Sequence, residues 1–328
     1  MQVVQSQDSF LKNSSNKTQL VRLLASALTD SHHAVTVCPG DADTVIVQQA
    51  LNLARNGQSV QVVAEDTDIF IMLMYHWTTY MAPMLVRRVA RRGSKNEQTR
   101  CLSIKDAVTN VPPQQKSNLL LIHAWSGCDT TFATFGPGEV QLLSKMEKCP
   151  EIRRLADVIS TVTSTVSEIG AAGQELFCFL YGENTTSDLI VLRQRRFQNM
   201  IAACRKLEPH RLPPTNRAAH FHSLRVHLQT VRWALLDESA LDPTDYGWQE
   251  SAGDLSPIMT DLAPAPECIL QFIRCKCKAE PKCTNTRCSC KKNGLKCVDA
   301  CSGCYGNDCQ NQDAVTINTD SDSDNESY

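Results

Sequence analysis

The stretch AVTVCPGDADTVIVQQALNLARNGQSVQVVAEDTD, residues 34–68, decides the fold class. It opens on a short apolar run, Ala34–Cys38, with the length and composition of a strand. Pro39-Gly40-Asp41 turns the chain, and Asp41 is placed to cap a helix that runs to about Arg55 with Ile46, Ala50 and Leu53 on one face. Asn56-Gly57 stops that helix, and Ser59–Ala64 is a second strand. Leu119–His123 is a third apolar run of strand length. Strand, helix and strand joined by tight turns predict an α/β fold with a parallel sheet.

Outward from this stretch, residues 8–28 have the pattern of an amphipathic helix, with Leu20, Leu24 and Leu28 four apart and Val21 beside them. Beyond Gly138 the pattern is helical, and Phe221, Leu224, Leu228, Val231 and Leu235 recur at helical spacing. A segment rich in Pro, Asp and Gly follows, then a segment dense in cysteine, then an acidic, Ser-rich tail. The predicted organisation is an α/β domain over 1–139, a helical region over 140–236 and a linker over 237–272. A cysteine module over 273–311 and an unstructured acidic tail over 312–328 complete it.

An apolar fraction of 42% allows a core, and net charge is only −2, which by itself predicts no nucleic-acid partner. The charge is unevenly spread. Arg193–Arg232 holds nine Lys or Arg against Glu208 alone, and the segment from Asp313 onward holds five acids and no base. No run approaches the ~20 apolar residues of a membrane helix, and Met1 opens a polar stretch without a signal-peptide pattern. The chain is therefore expected to be soluble and intracellular.

Each of the three expected strands leads into acids: Asp41 and Asp43, then Glu65, Asp66 and Asp68, then Asp129. In a parallel sheet the carboxyl ends of the strands share one edge, so these acids are expected to converge there. Crowded carboxylates repel unless a cation lies between them, and hard Mg²⁺ or Mn²⁺ suits oxygen ligands. The motifs GDADTVIVQQA (40–50), VVAEDTDIFIML (62–73) and HAWSGCDTT (123–131) resemble, in this order, the catalytic core of flap-endonuclease and XPG-like nucleases of the PIN-like superfamily. The resemblance implies metal ligation and catalysis by Asp41, Asp43, Asp66, Asp68 and Asp129, with Mg²⁺ or Mn²⁺ as cofactor. Two departures stand out. The first cluster has Asp where the family uses Glu. The family's opening strand, with a further metal-binding Asp, has no counterpart, so the sheet is expected to be N-terminally incomplete.

Nine of the sixteen cysteines lie within 35 residues: Cys275, Cys277, Cys283, Cys288, Cys290, Cys297, Cys301, Cys304 and Cys309. The residues between them are Lys, Arg, Asn, Gly and Ser, too polar to bury a core. Thiolate-bound zinc would supply the folding energy instead. Three Zn²⁺ need twelve bonds, which nine thiolates provide if three of them bridge. The segment CKCKAEPKCTNTRCSCKKNGLKCVDACSGCYGNDCQN (275–311) resembles the tesmin-type CXC domain. That resemblance implies a three-zinc cluster that binds DNA, with Arg287 as the candidate for groove contact and Lys291 and Lys292 beside it. Base preference stays open, because Arg stands where many relatives carry Tyr. The segment with Arg274 holds eight Lys or Arg against three acids, and a Zn₃Cys₉ cluster would itself carry −3. The module is then only about +2, so its bases must share a face to attract phosphate.

Three further signals are weaker. The basic stretch Arg193–Arg232 can track phosphates or be a solvated helix face. His210, His220, His222 and His227 fit no ligand spacing and are expected at the surface. The whole chain, with LPPTNRAAH (212–220), also resembles proteins of invertebrate genomes, some of them tied to mobile elements. Together these readings predict a nuclear, DNA-binding, divalent-metal-dependent nuclease-like protein held on double-stranded or branched DNA by its zinc module. The alternative is a non-enzymatic DNA or chromatin adaptor built on a degenerate nuclease fold.

Overall fold

The computed structural model describes residues 10, 13–38, 40–88, 100–134, 136–182, 188–202, 211–251, 253–261, 263, 273–278, 280–298, 301, 303–306 and 309–312. His210, Asp299, Asp308 and the acidic tail from Asp313 lie outside them. The protein is mixed α/β with small sheets and divides into two compact units. One is Met1–Leu120 with Arg232–Leu241, and the other is Leu121–Val231 with Asp242–Tyr328. No helix among the described residues is long and apolar enough to cross a membrane.

In the first unit, helix α1 (Ser14–Asp30) begins at Asn13, whose side chain accepts the Asn16 N–H. It covers most of the expected span 8–28, but Val21, Leu24 and Leu28 of the expected apolar face are exposed, as is Leu23. Helix α2 (Asp43–Arg55) buries Thr44, Val47, Ala50, Leu51 and Ala54, a stripe at helical spacing. The stripe is rotated from the predicted one, because Ile46 and Leu53 are exposed. Strand β1 (Val60–Val63) follows, then α3 (Thr67–His76), β2 (Met84–Arg88) and β3 (Arg100–Ser103). Helices α4 (Ile104–Thr109) and α5 (Pro113–Lys116) complete the run. β1 pairs with β2 in parallel, Val60 opposite Met84 and Val62 opposite Val86. β2 pairs with β3 antiparallel, Leu85 opposite Ser103. Met84 and Val86 are buried while Leu85 between them is exposed, the alternation of a half-covered sheet. Each fully buried side chain of this size stabilises the unit by about 1.5–3 kcal/mol.

The parallel layer predicted from three strands is thus only partly present. Ser59–Ala64 contains β1, but Ala34–Cys38 forms no strand and has no ladder partner among the described residues. Leu119–His123 is not a strand. It forms the start of helix α6 (Leu119–Ser126), in which Leu120, Leu121, Ile122, Ala124 and Trp125 are all buried. A short apolar run buried on every side shows no period that separates helix from strand. Leu outnumbers β-branched residues in this one, which favours the helix.

The second unit is helical: α7 (Glu139–Lys148), α8 (Pro150–Ser160), α9 (Val166–Leu180), α10 (Leu189–Ala202) and α11 (Asn216–Leu235). α8 buries Ile152, Leu155, Ala156 and Ile159. α9 starts with a reciprocal cap between Thr165 and Glu168, worth about 1 kcal/mol. Gly170 and Gly173 let α9 and α11 approach closely. A Cβ at Gly170 would lie 2.2 Å from His220 Nδ1, and one at Gly173 would lie 1.7 Å from Ser223 Oγ. α11 is consequently buried nearly all round. His222 and His227 are fully buried, which corrects the expectation of surface histidines. The segment read as a linker carries a 3-10 turn, Pro243–Tyr246, and the antiparallel hairpin β4 (Trp248–Ser251) and β5 (Asp254–Pro257). Tyr246 and Ile258, on either side of that hairpin, pack against Ile169, Phe221 and Leu224.

Candidate metal centres

Among its described residues the cysteine segment contains one short helical turn, α12 (Ser289–Lys292), with turns and irregular stretches around it. Cys283 and Tyr305 adopt left-handed backbone conformations, at φ 61° and 51°. Gly303 lies against the Cys277 peptide, where a Cβ would sit 2.1 Å from Cys277 O. Only glycine fits there, and the contact brings the two ends of the segment together. Cys275, Cys283, Cys288, Cys290, Cys297, Cys301 and Cys304 are buried, with Cys277, Cys309 and Leu295 packed around them. The thiols themselves are the core.

Sulfur spacing shows what this core suits. Cys275 Sγ lies 3.7 Å from Cys283 Sγ, 3.8 Å from Cys297 Sγ and 3.6 Å from Cys304 Sγ. Cys283 and Cys297 are 3.7 Å apart, Cys288 and Cys297 3.9 Å, and Cys290 and Cys301 3.5 Å. A disulfide would bring a pair to about 2.05 Å. Four thiolates at Zn–S distances of about 2.3 Å form a tetrahedron with an edge of about 3.8 Å. The observed separations match that edge. Three sets of four sulfurs each fall within 4.8 Å of one another. They are Cys275, Cys277, Cys283 and Cys288; Cys275, Cys283, Cys297 and Cys304; and Cys275, Cys288, Cys290 and Cys297. Cys275 is common to all three, and Cys283, Cys288 and Cys297 are each shared by two, so the sets form one cluster. The cysteines can hold zinc, and the segment fits a CXC-like module.

The electrostatics agree with this. Burial pushes the thiols of Cys275, Cys283 and Cys297 well above the usual thiol range, and that of Cys290 up to about 12. Burial also acts against ionisation of Cys304. There the Gly306 N–H and the thiols of Cys275, Cys283 and Cys309 prevail and hold it at about 7. So many thiolates cannot stay ionised in one small volume without cations among them. Outside the core, Arg287, Lys291 and Lys292 are all exposed. Arg287 is set in a turn by its own N–H, which donates to Asn285 Oδ1 at 3.0 Å. Lys291 folds back, Nζ donating to Thr284 O at 2.5 Å.

The carboxylates form a second, smaller group in the first unit. Asp66 caps α3, its Oδ1 accepting the Asp68 N–H at 2.9 Å. Asp41 Oδ1 accepts the Asp43 N–H at 3.2 Å just before α2. One oxygen each of Asp43, Asp66 and Asp68 falls within 4.8 Å of the others. Asp41 and Asp129 are not in this group. Asp129 belongs to the second unit, exposed in the turn Cys128–Thr131, and it follows a helix where a strand was predicted. The grouped acids occupy the first turns and caps of α2 and α3, where helix dipoles and free N–H groups already favour negative charge. A metal is therefore not required to explain their proximity.

One carboxylate near this group escaped the sequence reading. Glu238 has Oε1 buried with no hydrogen-bond partner among the described residues, and Oε2 3.6 Å from Arg232 Nη1. Burial raises its pKa, Arg232 opposes this, and the Asp41 charge adds to the rise. Nothing in the local pattern marks it, since it lies at the start of the predicted linker.

No protein-family model, no curated protein and no solved structure matches the chain.

Proposed function

We propose that this protein binds DNA through a three-zinc CXC-type module over residues 273–311, and that the module anchors the rest of the chain. The carrying observation is the sulfur core, with separations of 3.5–3.9 Å matching the edge of a zinc–thiolate tetrahedron. Three zinc ions joined by bridging thiolates would hold a segment that has almost no other core. The backbone around the cluster then presents Arg287, Lys291 and Lys292 to phosphates. Arg287 is the side chain for a groove, because Lys291 is drawn back to Thr284. Such a protein belongs with chromosomal DNA, in the nucleus. The deciding experiment is duplex binding by the full chain with and without a zinc chelator. Binding that survives complete zinc removal would exclude this reading.

A second reading is favoured by one observation, the approach of Asp43, Asp66 and Asp68. In it the first unit is a PIN-like, nuclease-like domain, with these acids holding Mg²⁺ or Mn²⁺. Such an ion would activate water and stabilise the leaving oxygen of a phosphodiester. Without that chemistry the protein is the adaptor, whose first unit serves only as scaffold. The adaptor is the better supported of the two, since capping alone accounts for the three acids.

A further inference from the structure

The end of the zinc module is tied back onto it. The Cys297 N–H donates to Asn311 O at 2.8 Å, and Asn311 Nδ2 donates to Leu295 O at 2.8 Å. The Gln310 N–H donates to Lys282 O at 3.1 Å, and Lys296 Nζ donates to Gln312 O at 3.1 Å. The chain therefore leaves the module beside Lys282 and Lys296. Exposed bases occupy the same small module: Arg274, Lys276, Lys278, Arg287, Lys291, Lys292 and Lys296. Directly after this exit come Asp313, Asp320, Asp322, Asp324 and Glu326, with no base among them.

We propose that this acidic segment is the module's own competitor, pairing with the lysines around the exit, Lys296 first, and screening the basic surface from DNA. Only the competition rests on the DNA reading; the intramolecular contact does not. Reach is sufficient. The eight residues from Gln312 to Asp320 span up to about 26 Å when extended. A domain of the module's length has a radius of gyration of about 9 Å. Tethering gives the segment an effective concentration in the millimolar range, which a separate acidic peptide would not have. The surface already takes such a partner, since Glu280 pairs with Lys282 at 3.2 Å. Exposed ion pairs are individually weak and screened by salt, so the segment lowers affinity without blocking binding. A module of small net charge is the kind on which a few carboxylates change the balance.

The test uses the full, zinc-loaded chain at low concentration. A zero-length carbodiimide should link carboxylates of residues 313–326 to Lys296 or neighbouring module lysines at low salt, and these links should disappear at about 0.5 M salt. Absence of any such link at low salt overturns the proposal. The variant Asp313→Asn, Asp320→Asn, Asp322→Asn, Asp324→Asn, Glu326→Gln should bind duplex DNA about 5–10-fold more tightly at low salt, with the gain fading as salt rises. Unchanged affinity overturns the competition. If the links form and neither chain binds a duplex, the contact stands and the DNA reading is what fails.

Discussion

Cys275 and Cys304 are 29 residues apart in sequence, and their Sγ atoms are 3.6 Å apart. Cys275 also neighbours Cys283 and Cys297, so one side chain near the start of the segment reaches partners along most of its length. Local turns of a polar chain do not produce such closure unaided. It is the geometry expected of thiolates that can share metal ions.

The first consequence is stoichiometric. The purified chain should carry about three zinc ions, as twelve Zn–S bonds from nine thiolates require. Metal analysis together with thiol titration checks this. Two ions or fewer, with cysteines of the module freely reactive, would exclude the bridged cluster.

Gly303 gives a sharper test, because its role is purely steric. In Gly303→Ala the new methyl would fall 2.1 Å from Cys277 O, against backbone that has no rotamer to yield. Zinc content should drop and the module's thiols should become reactive, although no ligand has been altered. Gly294→Ala is a weaker perturbation, since a Cβ there meets nothing within 4 Å and only the φ of 68° is strained. Equal effects from the two would mean that the Gly303 contact does not hold the module together.

Arg287 and Lys291 should behave differently on DNA. Arg287→Ala is expected to weaken duplex binding by about 1–3 kcal/mol if the guanidinium enters a groove. Lys291→Ala should cost less and reduce the salt slope by no more than about one, because its ammonium is partly engaged by Thr284 O. Affinities measured over a range of salt separate the two. Equal and negligible effects would favour a protein partner for the module.

The carboxylates decide between enzyme and scaffold. If Asp43, Asp66 and Asp68 hold a divalent ion, Mn²⁺ at a hundred times its Kd should stabilise the unit by about 2.7 kcal/mol and raise Tm by several degrees. Asp68→Asn should abolish the rise, while Asp129→Asn should leave it intact, since Asp129 is not in the group. A Tm indifferent to Mn²⁺ would leave the acids as helix caps, and the nuclease reading should then be dropped.

Acid should destabilise the helical unit through His222. Its ring is enclosed by Trp125, Phe132 and Phe177, with centroids 4.2–5.4 Å away. Burial, with help from Arg225, lowers its pKa to about 3. The folded state thus binds fewer protons than the unfolded chain between about pH 6.5 and 3. The contribution is fully present above pH 6.5 and is lost as pH falls, by up to about 1.4 kcal/mol per unit. Denaturant unfolding at pH 7 and pH 5 measures the slope. His222→Leu should flatten it, whatever its effect at pH 7, and a slope unchanged by the substitution would assign the acid sensitivity elsewhere.

The sequence by itself determined the parts whose physics is local. Nine cysteines among polar residues point to metal as a source of folding energy, so a cluster that could hold zinc was legible from ligand type and spacing. The helix from Asn216 and strand β1 followed from periodicity and turn residues, and α2 from its turn and stop. Tertiary structure decided what depends on neighbours. Leu119–His123 became helix because a run buried on all sides carries no period. Val47 and Leu51 went inward and Ile46 and Leu53 outward because β1 and α3 lie on that side of α2. His222 and His227 were enclosed because Gly170 and Gly173 admit α11 against α9, and a residue's polarity does not reveal how closely another helix can approach. The same holds for Glu238, whose environment is set by Arg232 and Asp41 rather than by the Pro- and Asp-rich stretch around it. Which acids meet is likewise a property of the packed chain. Asp43, Asp66 and Asp68 share a neighbourhood because the first turns of two helices do, and no spacing along the sequence encodes that.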